Sequence, residues 1–187
     1  MNKTLLTLKL DYNNTLGSDG IIALAKGLKL NSTLQVLSLK FCGIDEKGGN
    51  ALSEIIAFPR TAMQTLNLEG NHLCGEGLKR MCPGLQSNSS LRKLSLTDIG
   101  LMPNDADALE EFGRAIGRHP SLNDIILLRN AIGDEGGLNL SKYVAENKII
   151  TSLKIDTALS PDIYDTLCRI PSNEKKSKKK GSGKKKK

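Results

Sequence analysis

Two histidines, four cysteines and a terminal run of lysines are the residues of this chain whose chemistry could reach beyond packing. His72 and His119 each sit beside a turn, with no Cys or second His at ligand spacing. Zinc is therefore not expected, and each ring reads as solvated or as a cap on backbone N–H groups. Cys42, Cys74, Cys82 and Cys168 form no C-x-x-C pair and read as small buried hydrophobes in a reducing compartment. Gly181-Ser-Gly183 lies among lysines and follows no strand, so it is not a phosphate-binding loop. Neighbouring carboxylates such as Glu110 and Glu111 fall on the solvated face of a helix. No catalytic constellation emerges, no cofactor is expected, and the chain reads as noncatalytic.

The lysines need a different account. Lys175, Lys176, Lys178, Lys179, Lys180, Lys184, Lys185, Lys186 and Lys187 share positions 174–187 with a single glutamate. The whole chain has 27 basic and 20 acidic residues, so positions 1–173 hold 18 basic and 19 acidic and are nearly neutral. Attraction to a polyanion (RNA, DNA, acidic tubulin tails) or to anionic lipid then belongs to the tail and should weaken steeply with salt. The tail has no aromatic to stack on bases, which argues against sequence-specific nucleic-acid recognition. A nuclear or nucleolar address, or a merely solubilising end, are the other readings.

What surrounds these residues is periodic. Leu34 to Ile44 fits L-x-x-L-x-L-x-x-[N/C]-x-L through Leu34, Leu37, Leu39, Cys42 and Ile44. Degenerate copies begin at Leu5, Leu34, Met63, Leu91, Leu122 and Ile150, in steps of 29, 29, 28, 31 and 28 residues. Such a repeat holds a short strand and a full helix. Aromatics are 3% of the chain and Trp is absent, so the core must be Leu and Ile in thin, similar layers. Ser18 is expected to cap a helix reaching about Leu30 and burying Ile21, Leu24 and Leu28. Asp45 starts the next, with Leu52, Ile55 and Ile56. A third carries Leu78, Met81 and Leu85 and should be short or kinked at Pro83, which lacks an N–H. Pro103-Asn104-Asp105 leads into a fourth with Leu109, Phe112 and Ile116, and takes up the surplus of the longest repeat. A fifth buries Leu138, Leu140 and Val144. Ser160-Pro161-Asp162 opens a last helix ending near Ile170. Asn31 and Asn88 stand where a helix gives way to a strand, and turn chemistry accounts for them.

The period, the strand motif and the helix starts Gly17-Ser-Asp-Gly20, Gly75-Glu-Gly77 and Gly133-Asp-Glu-Gly136 resemble the ribonuclease-inhibitor type of leucine-rich repeat. That type also occurs in nucleotide-binding innate sensors, the GTPase activator of Ran, and tropomodulin. The resemblance covers residues 1 to about 170. It implies an α/β fold: a leucine-rich-repeat solenoid of about six 28–31-residue β-α repeats, with a parallel concave sheet and convex helices. Residues 1–171 form this domain, and 172–187 form a lysine-rich tail expected to be disordered when free. The resemblance further implies an inward-pointing amide ladder at Asn13, Asn71 and Asn130, with Cys42 as its replacement and interruptions at Ile99 and Ala158. GTPase activation is conceivable through the Ran activator, yet that family ends in an acidic tail and this chain in a basic one.

Side chains alternate along a strand, so the residues between the leucines point out of the concave sheet. One row reads Lys9, Ser38, Asn67, Ser95, Ile126, Lys154, and the next Asp11, Lys40, Glu69, Thr97, Leu128, Asp156. Ile126 and Leu128 break a polar pattern. They read either as the ordinary scatter of single exposed hydrophobes or as the centre of a protein contact rimmed by Lys93, Asp124, Arg129, Lys154 and Asp156, with Tyr12, Phe41, Lys40 and Glu69 on the same face. The chain begins four residues before Leu5, so the first layer is expected either to be covered by another chain or to continue a longer array. No segment approaches the roughly 20 apolar residues of a membrane span, and no signal-peptide core is present, which points to the cytoplasm, or to the nucleus through the tail. The resulting expectation is a noncatalytic scaffold binding another protein on its concave face. The alternative is an adaptor tethered by its lysines to a polyanionic assembly such as ribosome, chromatin or microtubule.

Overall fold

In the computed structural model residues 2–145, 147–156 and 158–168 are described. The nine tail lysines, the expected helix end near Ile170 and the domain boundary at 171 lie outside them. Each repeat opens with a three-residue strand: β1 (Thr7–Lys9), β2 (Val36–Ser38), β3 (Thr65–Asn67), β4 (Lys93–Ser95), β5 (Asp124–Ile126) and β6 (Ser152–Lys154). The strands pair in parallel and in sequence order. Between and after them run α1 (Gly17–Leu28), α2 (Gly48–Ala57), α3 (Cys74–Ser87), α4 (Ala106–Gly117), α5 (Gly133–Val144) and α6 (Pro161–Cys168).

Register follows from the leucine spacing. Leu8, Leu37, Leu66, Leu94, Ile125 and Leu153 are direct partners across the sheet. Leu37, Leu66, Leu94 and Ile125 are fully buried against Leu52, Ile55, Leu78, Met81, Leu109 and Ile116 from the helices. Each such side chain contributes about 2 kcal/mol by leaving water. Phe112 is the one fully buried ring among the described residues. α2 and α3 approach most closely where side chains are missing: a Cβ on Gly49 would lie 2.4 Å from the Gly77 carbonyl oxygen, and one on Gly84 would lie 2.5 Å from that of Ser53.

The amide ladder forms where Asn faces inward. Asn71 Nδ2 donates to the carbonyls of Leu39 and Leu68, and its Oδ1 accepts from the N–H groups of Cys42 and Ile44. Asn130 repeats this with Leu96 and Leu127, and with Ile99 and Leu101. Each Asn therefore serves the turn of the preceding repeat as well as its own. The Cys42 thiol donates to the Leu10 carbonyl at 3.0 Å. Asn13 is exposed and bonds only within its own turn. Ile99 fills its slot with hydrocarbon, whereas at Ala158 a cleft of about 170 Å³ opens beside Asn130 and Ile132.

Several local expectations are corrected. α3 runs unbroken through Pro83 for 14 residues. Pro83 is exposed and has no N–H to donate to the Lys79 carbonyl, and packing against α2 holds the helix. Ser18 does not cap α1; its hydroxyl donates to Asp45 Oδ1 at 2.5 Å and accepts from the Asp45 N–H, tying the first repeat to the second. α2 begins three residues after Asp45, at Gly48. Leu138 is 51% exposed because it lies two residues, or about 200° of helix, from the inward Leu140. Cys42 and Cys82 are buried, and burial pushes the Cys82 thiol up to about 12. Cys74 and Cys168 are only partly covered, so the small-hydrophobe reading fits half the set. Asn31 and Asn88 do hold turns, each Oδ1 accepting from the two N–H groups that lead into the next strand.

Candidate functional site

The sheet lays the outward side chains in straight rows. Lys9, Ser38, Asn67, Ser95, Ile126 and Lys154 are neighbours across the six strands. The face is not the uniformly solvated surface the alternation suggests. Ser38, Ser95 and Thr97 are buried. The Ser38 hydroxyl donates to Asp11 Oδ1 at 2.5 Å, and the Ser95 and Thr97 hydroxyls lie 3.3 Å apart.

The charges of this face meet one another. Lys40 and Glu69 pair at 2.9 Å, Lys93 and Asp124 at 2.8 Å, Arg129 and Asp98 at 3.4 Å. The Lys40 ammonium is held above its usual range chiefly by its hydrogen bond to Glu69. Burial pushes the Asp124 carboxyl up, but Lys93, Ser152 and Lys154 pull it further the other way, leaving it below the usual carboxylate range. Asp11 accepts from the Lys40 N–H at 3.0 Å, and Asp156 accepts from the N–H groups of Arg129 and Asn130. Each carboxylate thereby fastens one repeat to its neighbour.

The apolar groups form two separate clusters. Ile126 and Leu128 are half-buried on and just after β5, flanked by the Lys93–Asp124 pair on one side and by Lys154 and Asp156 on the other. Tyr12 and Phe41 lie at the turns after β1 and β2, their rings stacked with centroids 5.3 Å apart and planes 7° apart. Tyr12 is 71% exposed. The Phe41 ring lies over Gly70, where a Cβ would sit 2.2 Å from it. With strands about 4.8 Å apart, three strand spacings put the aromatic and aliphatic clusters roughly 15 Å apart.

Asp11 and Asp98 are the members of this face that reading for exposed hydrophobes passes over. Asp98 follows the same turn position as Tyr12, Phe41, Gly70 and Arg129, and all five have left-handed backbone. Written as columns under the repeat period, that row was visible. His119 caps as expected but is buried rather than solvated, while His72 is exposed. Among the described residues, no three His, Cys, Asp or Glu side chains gather to hold a metal ion, and no helix is long and apolar enough to cross a membrane.

The family profile described as Leucine Rich repeat matches residues 2–25 and 30–53. The chain is 31% identical over 152 residues to the ribonuclease inhibitor of Mus musculus, an alignment covering 76% of this chain and 32% of that protein. It is 28% identical over 175 residues to the protein phosphatase 1 regulatory subunit 37 homolog of Caenorhabditis elegans, covering 85% of this chain and 18% of the relative. It is 32% identical over 144 residues to the NACHT, LRR and PYD domains-containing protein 12 of Mus musculus, covering 76% and 13%. The chain thus spans less than a third of the length of these curated relatives. Among solved structures, leiomodin-1 actin-binding site 2 superposes with a TM-score of 0.59 at 15% identity, over 90% of this chain and 80% of that one. The tropomodulin C-terminal domain of Caenorhabditis elegans does so at 0.58 and 14%, over 90% and 83%. These two identities speak to fold alone. With six stacked β-α units, the repeat profile and relatives of this kind, the chain belongs to the ribonuclease-inhibitor-like leucine-rich-repeat proteins.

Proposed function

We propose that this chain is a noncatalytic protein-interaction scaffold whose concave face holds a partner protein. The observation that carries this reading is the charge balance of the face, three of whose cations pair with its own carboxylates. Its ionisable residues are Lys9, Lys40, Lys93, Arg129 and Lys154 against Asp11, Glu69, Asp98, Asp124 and Asp156, five of each sign. A face of zero net charge with three internal ion pairs does not steer a polyanion. It leaves two apolar clusters, Tyr12–Phe41 and Ile126–Leu128, as anchors, and aromatic and aliphatic anchors within a polar rim are the usual carriers of protein binding. Relatives named as an inhibitor and as a regulatory subunit agree with a role exerted by binding.

The test is Ile126→Asp combined with Leu128→Asp. Crosslinking and mass spectrometry from cell extract should show loss of concave-face partners, with the far-UV spectrum unchanged. An identical crosslinked set in the double variant would remove the reading. A second reading rests on the nine lysines of positions 174–187, which suit a tether to RNA, DNA or another polyanion. Deleting those positions should abolish salt-sensitive polyanion binding while leaving concave-face partners in place.

A further inference from the structure

A cavity of about 580 Å³ opens on the helical side of the solenoid, lined by Arg114 and Gly117 of α4, by Arg118 just beyond them, and by Lys142 and Tyr143 of α5. Its wall is partly bare backbone, since Tyr143 packs onto Gly113 and Gly117. Arg114 is held in place: Nε donates to the Tyr143 hydroxyl at 3.0 Å and Nη2 to Glu110 Oε1 at 2.6 Å. The Tyr143 hydroxyl donates to the same Glu110 oxygen at 3.3 Å. Lys142 Nζ donates to Asn139 Oδ1 at 2.9 Å.

Three cations therefore surround this cavity. Glu110 is the one carboxylate within ion-pair distance of any of them among the described residues. On the helical side of other repeats Lys29 is matched by Glu54, Lys79 by Asp107 and Arg80 by Glu76, while Lys26 and Lys47 stand singly rather than in a cluster. The negative C-terminal ends of α4 and α5 account for a basic residue in each last turn, but not for a cavity between them. Arg114 is also preorganised by Tyr143 and Glu110, so little side-chain entropy remains to be lost when it meets an anion.

We propose that this groove is a phosphoryl-anion site, taking a phosphorylated side chain of a peptide partner. A phosphoserine or phosphothreonine brings close to two negative charges and three acceptor oxygens, which two guanidinium groups and an ammonium can meet together. A carboxylate would satisfy only part of that set. The volume lies in the range of sites that enclose small ligands, roughly 300–1,000 Å³. The site is independent of the concave face and of the terminal lysines.

The experiment uses the full chain, titrated at physiological salt with a phosphoserine peptide of otherwise uncharged sequence and with the same peptide unphosphorylated. Binding is read by calorimetry and by backbone amide NMR shifts. Arg118→Gln with Lys142→Gln removes two exposed cations of the groove, and Lys26→Gln with Lys47→Gln removes two exposed cations elsewhere. The phosphopeptide is expected to move the amides around Arg114, Arg118 and Lys142, to bind at least tenfold more weakly to the groove variant, and to bind undiminished to the control variant. The unphosphorylated peptide should leave all of them unmoved. Shifts confined to the terminal lysines, equal losses in both variants, equal binding of the two peptides, or no binding of either would each overturn the proposal.

Discussion

His119 sets a pH limit on the fold that a single substitution should lift. Its ring is 2% exposed, and Nδ1 accepts from the N–H groups of Ser121 at 3.3 Å and Leu122 at 3.0 Å. Nδ1 must therefore be unprotonated, which puts the ring hydrogen on Nε2, a buried atom with no hydrogen-bond partner. Protonating Nδ1 would break both turn bonds and place a charge in the core, and burial holds this imidazole down at about 4. The unfolded chain takes up the proton near pH 6.5. A group whose folded pKa is depressed contributes stability that is complete above the unfolded value and is lost as pH falls towards the folded one. At 1.36 kcal/mol per pH unit, falling from pH 6.5 to 5 costs about 2 kcal/mol, and the loss levels off near 3 kcal/mol below pH 4.

Asn31, Asn88 and Asn147 occupy the equivalent turns and accept the same two N–H groups through Oδ1. Unlike His119, Asn88 and Asn147 also find carbonyls for their second polar atom, at Ile56 and at Ile116 and Gly117. His119→Asn should thus keep the turn and abolish the pH-dependent loss. Urea unfolding followed by circular dichroism, at pH 7 and pH 5, provides the comparison. The parent should lose about 2 kcal/mol more than the variant between the two conditions. The carboxylates held low by partners, among them Asp45, Asp107 and Asp124, act mainly at more acid pH and are common to both proteins. Equal losses in parent and variant, or an NMR titration placing the His119 ring near 6.5, would refute the assignment.

Other perturbations test the ladder and the helix contacts. Asn71→Ala removes four buried hydrogen bonds and should cost about 3 kcal/mol in urea unfolding, whereas Asn13→Ala, at an exposed slot, should cost under about 1 kcal/mol. Ala158→Asn places an amide beside the cleft near Asn130 and Ile132 and should stabilise by about 1 kcal/mol, seen as a raised Tm. Gly49→Ala drives a methyl group into the Gly77 carbonyl and should lower the Tm. Gly27→Ala, in α1 with nothing within 4 Å of the added carbon, should raise it, by about 0.5–1 kcal/mol of stability.

The fold was legible because its code is spacing. Leu37 and Leu39 alternate for a strand, the triplet they form with Leu34 returns every 28 to 31 residues, and similar layers stack in one register. Errors arose where a neighbouring helix outweighs local preference. Pro83 disfavours a helix by itself, but α2 supports the whole length of α3. Ser18 bonds Asp45, 27 residues away, rather than capping its own helix, while Asp45 Oδ1 also accepts from the Lys47 N–H just before α2. The concave face was only half legible for the same reason. Its rows follow from the period, but the Lys40–Glu69 and Lys93–Asp124 pairs join residues 29 and 31 positions apart. Recognising them requires reading down the repeats rather than along the chain.

The row of turn residues carries the backbone strain of this face. Tyr12 and Phe41 have φ of 63° and 49°, a region where a bulky residue costs on the order of 1–2 kcal/mol relative to glycine. Gly70 occupies the next repeat without that cost. An offset or parallel aromatic pair returns about 0.5–1.5 kcal/mol beyond its burial, so the Tyr12–Phe41 stack offsets only part of the strain of its two residues. Asp98 and Arg129 hold the same strained position and gain still less from their exposed ion pair. The folding free energy therefore does not account for large rings at the first two turns. In the proposed concave-face contact, an exposed Tyr12 ring fixed in orientation by Phe41 would supply apolar area without the entropy loss that a freely rotating side chain incurs on binding.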